Sequence, residues 1–344
     1  MKELKINTIY QGDCLELFKN IKDKSINLIC IDPPYNVKKA EWDKIDNYIE
    51  WMGKIFIECQ RVLKDNGSFY WFHNDMTQIK DLMKWLEDNT EFIYKSFITI
   101  NKDDNNYIKD LYGSQEHFRN YLNVVEYVLF YTFQDETGLQ NIKDNRGLFI
   151  PIREYFKKER EKIKHLKIKD INKALGFKLN GGSFASDVLN GYKLNWKFPL
   201  KYIYEKFKQL GICNKPYEEL RKEYEELRKE YEELRYTFNE KQGEINNWKF
   251  KFREDKKVKH PTQKPIKLIE KIIKCSSNEG DLILDCFAGS FTTSLAADNL
   301  NRNWICIEKE KTYCEIGLKR VNENRLKLNK PLVKQEEIID SKND

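Results

Sequence analysis

Apolar and polar positions along the chain alternate between the short runs of strands and the three-and-four spacing of helices. LKINTIYQGD reads as a strand, CLELFKNIKDKS as a helix, and INLICI (26–31) as a continuous apolar run of strand length. Residues 47–63 are amphipathic, with Ile49, Met52, Ile55, Phe56, Cys59, Val62 and Leu63 on one helical face. Asp65-Asn66-Gly67 is expected to close that helix before the strand SFYWF. A helix at 75–88, a strand near FIYKSFITI and the strand VVEYVLFYT (124–132) continue the alternation. It then stops from 136 to 258, and resumes with a helix at 265–276, the buried strand DLILDCF, the loop AGSFT, a helix at 292–300, the strand NWICIE and a helix at 310–325. Continuous apolar strands separated by helices predict an α/β, doubly wound, mostly parallel sheet with helices on both faces. The chain thus divides into 1–135, an inserted mainly helical region at 136–258, a returning 259–325 and a polar C-terminal tail at 326–344.

The insertion holds two unlike pieces. LKIKDINKALGFKLNGGSFASDVLN reads as helix, glycine-containing turn, helix, the spacing with which a second helix enters a major groove and one shared with ordinary helical bundles. KPYEELR-KEYEELR-KEYEELR (215–235) is a near-perfect heptad repeat, with Tyr217, Leu220, Tyr224, Leu227, Tyr231 and Leu234 on one helical face. Glu218 to Lys222 and Glu225 to Lys229 have the spacing of favourable pairs. The repeat is expected to pack on the insertion's own core, with a spacer whose length changes by whole heptads as the alternative.

With 40% hydrophobic and 34% charged residues among 344, the chain can bury a large core and is not disordered by composition. No apolar run reaches the ~20 residues that span a bilayer, and MKELKINTIYQGD has no signal-peptide core, so a cytoplasmic protein without a membrane is expected. Eight cysteines form no CxxC pair and four histidines show no HxxxH spacing, which predicts reduced buried thiols and no metal. The net charge of +6 is unevenly spread: residues 143–210 carry 17 Lys and Arg against 7 Asp and Glu, and 248–274 carry 10 against 3. A basic face of that kind attracts phosphate backbones, although a solvated lysine-rich surface would look the same.

Two polar loops follow buried strands, Asp32 to Asn36 after INLICI and Asp285 to Thr293 after DLIL. In an α/β sheet such loops line one cleft at the strands' carboxyl ends. Pro33 and Pro34 remove two backbone donors, so acceptors dominate the first loop. The Asp32 carboxylate and the Pro33 carbonyl could accept both hydrogens of a nucleobase amino group. That would draw the nitrogen toward tetrahedral geometry and free its lone pair, while Tyr35 offers a face for an extruded base.

These motifs resemble the amino-group DNA methyltransferases that use S-adenosylmethionine. DPPY (32–35) is similar to their catalytic tetrapeptide, and HPTQKP (260–265) with DCFAGSFTT (285–293) to their cofactor-binding pair; the order resembles the beta class. The resemblance covers most of 6–135 and 258–322 and implies a Rossmann-like methyltransferase domain: 1–135 catalytic, 136–258 a DNA target-recognition region, 259–325 cofactor-binding. It implies Asp32, Pro33, Pro34 and Tyr35 as catalytic residues, with Asn36 extending the motif on the cofactor side. Asp285, with Phe287, Ala288, Gly289, Ser290 and Thr292, would surround the methionine part of the cofactor, the acid facing its ammonium group. Glu308 would bind ribose hydroxyls, Asp13 with Cys14 would lie near adenine, and Thr262 and Lys264 would close over the methionine carboxylate.

One departure stands out. The family's loop usually reads FAGSGT, but Phe291 replaces the second glycine, and Cys286 stands where a proline often sits. Phenylalanine neither adopts positive φ cheaply nor lets backbone approach a ligand, so either the pocket is reshaped or cofactor binding is weak. The implied reaction is direct methyl transfer to adenine N6 in double-stranded DNA, an aspartate in the tetrapeptide being commoner among adenine enzymes. The alternatives are cytosine N4 transfer and a catalytically weakened DNA-binding relative. An RNA or protein-amide methyltransferase would not need the basic insertion. A cognate restriction endonuclease and a homodimer stay open as partners.

Overall fold

The computed structural model describes residues 3–37, 43–102, 125–133, 149–176, 184–189, 196–240, 245–251 and 263–337. The chain forms two compact units, 1–134 with 236–344, and 135–235. In the first unit, β1 (Thr8–Gln11), α1 (Cys14–Phe18), β2 (Ile26–Ile31), α2 (Tyr48–Val62), β3 (Leu63–His73), α3 (Met76–Asn89), β4 (Ile93–Lys102) and β5 (Val125–Thr132) precede the second unit. The second unit contributes α4 (Ile150–Lys162), α5 (Ile168–Ala174), α6 (Phe184–Leu189), α7 (Lys201–Gln209) and α8 (Tyr217–Leu234). The first unit then resumes with β6 (Asn247–Phe250), α9 (Ile266–Ser276), β7 (Leu282–Asp285), α10 (Thr292–Asn299), β8 (Asn303–Glu308), α11 (Lys311–Lys327) and β9 (Gln335–Glu337).

The strand order is β6-β4-β5-β3-β2-β7-β8-β1-β9. From β3 through β9 every neighbouring pair is parallel, as is β4 with β6, whereas β5 runs antiparallel to both β3 and β4. Successive residues of β2 point to opposite layers: Ile29 and Ile31 pack with Phe56 and Trp71, while Leu28 and Cys30 pack with Ile283 and Trp304. A strand buried on both faces is why INLICI reads as unbroken apolar sequence. The chain leaves β2 toward β3 and leaves β7 toward β8, in opposite directions from adjacent strands. Their carboxyl ends therefore meet at the switch point of the sheet, where α/β folds place ligands.

Three expectations change. Asp65-Asn66-Gly67 does not end α2: Ile26 pairs with Leu63 and Leu28 with Ser68, so residues 64–67 form a bulge inside β3. Turn-forming residues fit a bulge as readily as a helix end. The boundary expected at 258 falls at 235, because Asn247–Phe250 pairs with β4 from Thr99↔Asn247 to Lys102↔Phe250. The tail expected to begin at 326 also gives a strand, with Ile9↔Gln335 to Gln11↔Glu337 in register and Lys5 Nζ 2.6 Å from Glu336. Edge strands half open to solvent carry little apolar signal.

In the second unit, Ile171, Leu175, Ala185 and Val188 are buried together, and Asn172 Oδ1 accepts from Ala185 N at 3.0 Å, tying α5 to α6. Gly176 leaves α5 at φ 84°, and residues 177–183 of the turn lie outside the described residues. Leu220 is buried and the Tyr224 ring stacks on Phe198 at 4.5 Å, so α8 packs on its own unit's core. Glu218 pairs with Lys201 at 2.6 Å. All eight cysteines are buried. Among the described residues, no helix is long and apolar enough to cross a membrane.

Candidate active site

Four adjacent parallel strands, β2, β7, β8 and β1, each end at a carboxylate, and one cavity of about 390 Å³ opens across those ends. Asp13 and Cys14 line it beyond β1, and Asp32, Pro33, Pro34 and Tyr35 beyond β2. Asp285 lines it as the last residue of β7, Phe287, Ala288, Gly289, Ser290 and Thr292 beyond that strand, Glu308 as the last residue of β8, and Lys264 just before α9. Residues from both ends of the sequence thus share one space. Thr262 lies outside the described residues. Asn36 is not part of the lining: its backbone, at φ 52°, turns the chain, and its Oδ1 accepts from Ile45 N at 2.9 Å. Asn36 therefore braces the loop beside the cavity.

The DPPY turn is held from several sides. Tyr35 Oη donates to Asp32 Oδ1 at 2.6 Å, and the Tyr35 ring packs against His73 with centroids 4.7 Å apart. Asn36 N and Val37 N both donate to the Asp43 carboxylate, at 2.7 and 3.1 Å. Tyr48 Oη donates to the Pro34 carbonyl at 2.6 Å and lies 3.2 Å from His73 Nε2. Because Asp75 N–H donates to His73 Nδ1, the imidazole proton belongs on Nε2, where it donates to Tyr48. Burial pushes His73 down to about 4, so the ring is neutral near pH 7.

Lys264 is engaged with the DPPY turn. Its Nζ donates to Asp32 Oδ2 at 2.6 Å and to Tyr35 Oη at 3.2 Å, and lies 3.3 Å from Glu126 Oε2. Burial alone would depress this lysine, but Asp32 and then Glu126 raise it, so the ammonium form persists. Burial likewise works against an ionised Glu126, and Lys264 with Lys102 holds it below the usual carboxylate range. The sequence hinted at Glu126 only as a lone acid in an apolar strand, an expensive residue without a partner. Lys102, Tyr48, His73 and Asp43 gave no signal, since their roles arise from neighbours distant in sequence.

The opposite wall is acidic. Asp285 accepts from Thr293 Oγ1 at 2.6 Å and Phe287 N at 3.0 Å, both neutral donors. Burial pushes its pKa up to about 7, against those two bonds and with help from Asp32 and Glu308. Glu308 accepts from Gly289 N at 2.7 Å and Glu310 N at 2.8 Å, one on each oxygen, and burial raises it too. Asp13 caps α1 through Leu15 N at 3.0 Å. A cavity with Asp13, Asp32, Asp285 and Glu308 on its wall suits a ligand carrying positive charge.

Phe291 resolves the departure in the loop. It takes the left-handed conformation the family's glycine would take, φ 61° and ψ 34°, at the start of α10. The ring is fully buried in the core and is not part of the cavity lining. Room for it comes from α11: a Cβ on Gly317 would stand 2.0 Å from Phe291 Cδ2. Left-handed backbone costs ~1–2 kcal/mol, and burying the ring contributes ~1.5–3 kcal/mol, so the exchange is tolerated. The ring is thus accommodated away from the cavity. Gly317, inside the helix at 310–325, was the sequence signal for this pocket.

An α/β sheet with a proline-rich acceptor turn and an acidic cavity at its switch point has the arrangement of an enzyme that binds a nucleoside-containing cofactor. The family model described as DNA methylase matches residues 26–319, and the chain belongs to that family. It is 29% identical over 324 residues to the DNA adenine methyltransferase YhdJ of Escherichia coli, covering 92% of this chain and 82% of that protein. It is 27% identical over 331 residues to the type II methyltransferase M1.MboII of Moraxella bovis, covering 95% and 98%. In fold it is similar to TTHA0409 of Thermus thermophilus complexed with S-adenosyl-L-methionine, with TM-score 0.52, 13% identity and coverage of 97% and 99%.

Proposed function

We propose that the chain transfers a methyl group from S-adenosylmethionine to N6 of an adenine extruded from double-stranded DNA. The observation that carries this reading is the shared cavity, in which the DPPY turn faces Asp285 and Glu308. Asp285 is a buried carboxylate bonded by neutral donors, an arrangement an ammonium group would complete. Each Glu308 oxygen accepts one backbone N–H and has a further lone pair for ribose hydroxyls. Asp13 and Cys14 would flank the cofactor's adenine, and Phe287 through Ser290 with Thr292 would hold its methionine part, all of them lining the same cavity. When bound, the cofactor supplies an electrophilic methyl group on a sulfonium.

Asp32 and the Pro33 carbonyl accept the two amino hydrogens of the target, hold its nitrogen in line and localise its lone pair. As positive charge develops on that nitrogen, the Asp32 carboxylate stabilises it, and release of one of the two amino protons to solvent leaves the neutral N6-methyl product. Tyr48, through the Pro34 carbonyl, and Asp43, through Asn36 N and Val37 N, keep the turn in place. The region 135–235 is proposed as the target-recognition unit, on the strength of its 143–210 charge excess. The printed name of YhdJ and the aspartate of DPPY favour adenine N6 over cytosine N4. Relatives named type II methyltransferases favour a cognate restriction endonuclease as companion. A cytoplasmic site and a homodimer complete the proposal, and sedimentation reads the latter.

Methylation of host or plasmid DNA, followed by long-read sequencing and nucleoside mass spectrometry, tests the reading. N6-methyladenine in one motif is expected, and its loss in Asp32→Ala with cofactor and DNA affinity retained. Normal turnover by Asp32→Ala, or N4-methylcytosine as product, would refute it.

A further inference from the structure

Both oxygens of Asp32 already have donors, Tyr35 Oη on Oδ1 at 2.6 Å and Lys264 Nζ on Oδ2 at 2.6 Å. The ammonium, also 3.2 Å from Tyr35 Oη, is a nitrogen donor standing in the turn where an amino group would donate. Lys264 is only 5% exposed, so it cannot hand its charge to water when it leaves Asp32. Glu126 lies beside it. This carboxylate is 9% exposed, its Oε1 is held by Lys102 Nζ at 2.7 Å, and its Oε2 makes a looser ion pair with Lys264 Nζ, at 3.3 Å against 2.6 Å for Asp32. Closing that gap to an ordinary charged hydrogen bond takes about 0.5 Å. β4 and β5 set the arrangement: Ile100 pairs with Glu126, which puts Lys102 one diagonal step away on the same face.

We propose that Glu126 is a positioning residue for methyl transfer, receiving the Lys264 ammonium from Asp32 as the target amino group arrives. This rests on the reading of Asp32 as the acceptor for that group. Lys102, Glu126, Lys264 and Asp32 together carry two positive and two negative charges, so the handover leaves the buried cluster neutral. Without Glu126, the ammonium would have to stay on Asp32 or lie buried and unpaired, and the second state is strongly disfavoured.

The test is the single-turnover methylation rate at saturating cofactor, measured beside calorimetric affinity for S-adenosylmethionine and a melting curve for each full-length variant. Glu126→Gln should slow the rate at least ~100-fold with cofactor affinity changed less than ~3-fold, since loss of one partner of a buried pair costs that much. Adding Lys264→Met should recover at least ~10-fold, because no ammonium then needs a second home. A structural lesion alone would not be rescued. Should Glu126→Gln not fold, Glu126→Gln with Lys102→Met, which removes the stranded second charge, carries the same comparison. A wild-type rate in Glu126→Gln, or no recovery on adding Lys264→Met, overturns the proposal while an inactive Asp32→Ala leaves the proposed function standing. Normal turnover by Asp32→Ala would instead fail both.

Discussion

Restoring the family's usual glycine at position 291 should damage this protein. Phe291→Gly relieves a left-handed phenylalanine, a gain of ~1–2 kcal/mol. It also empties a fully buried ring site, and deletion of a core phenylalanine costs ~3–5 kcal/mol. The balance is a loss of about 2–3 kcal/mol, which for a domain of this size lowers the melting temperature by roughly 5–10 °C. The same geometry predicts a reversal of sign at Gly317. With Phe291 in place, Gly317→Leu drives a Cβ to 2.0 Å from the ring and is strongly destabilising. With glycine at 291, the leucine grows into the vacated volume and should restore stability. Cofactor affinity should change less than ~3-fold across the series, because the ring lies outside the cavity lining. Thermal and guanidinium melts of the four proteins, with calorimetry of cofactor binding, form the cycle. Phe291→Gly as stable as the parent, or Gly317→Leu equally harmful in both backgrounds, would refute the packing argument.

Asp285 should make cofactor binding depend on pH. Its pKa of about 7 lies above the unfolded value of 3.8, so its contribution to stability is complete below about 3.8 and is lost as pH rises through 7. A bound ammonium favours the carboxylate, so binding should release a proton, strengthen by up to ~10-fold per pH unit toward 7 and level off above. Calorimetry in buffers of different ionisation enthalpy would read the proton, and pH-independent affinity in the parent would count against this account. Tyr48→Phe should leave the Pro34 carbonyl and His73 Nε2–H without their shared partner, at ~1–3 kcal/mol, and lower the rate about 10-fold with little change in cofactor affinity. An unchanged rate would remove Tyr48 from the support of the turn.

The helices and central strands were legible in the residue order, because burial on both faces of β2, β7 and β8 imposes apolar runs that survive as a one-dimensional pattern. That order also determined the acceptor turn, since proline chemistry is local. Which strands lie at the edges emerged from the folded sheet, where β6 and β9 bury little and so leave a faint pattern. The tertiary structure alone decided where side chains point. Phe291 is harmless because Gly317 faces it, and Lys264 serves Asp32 with Glu126 of β5 as its second carboxylate, itself paired with Lys102 of β4. Packing and charge compensation act between residues far apart in the chain, and no spacing along it records them.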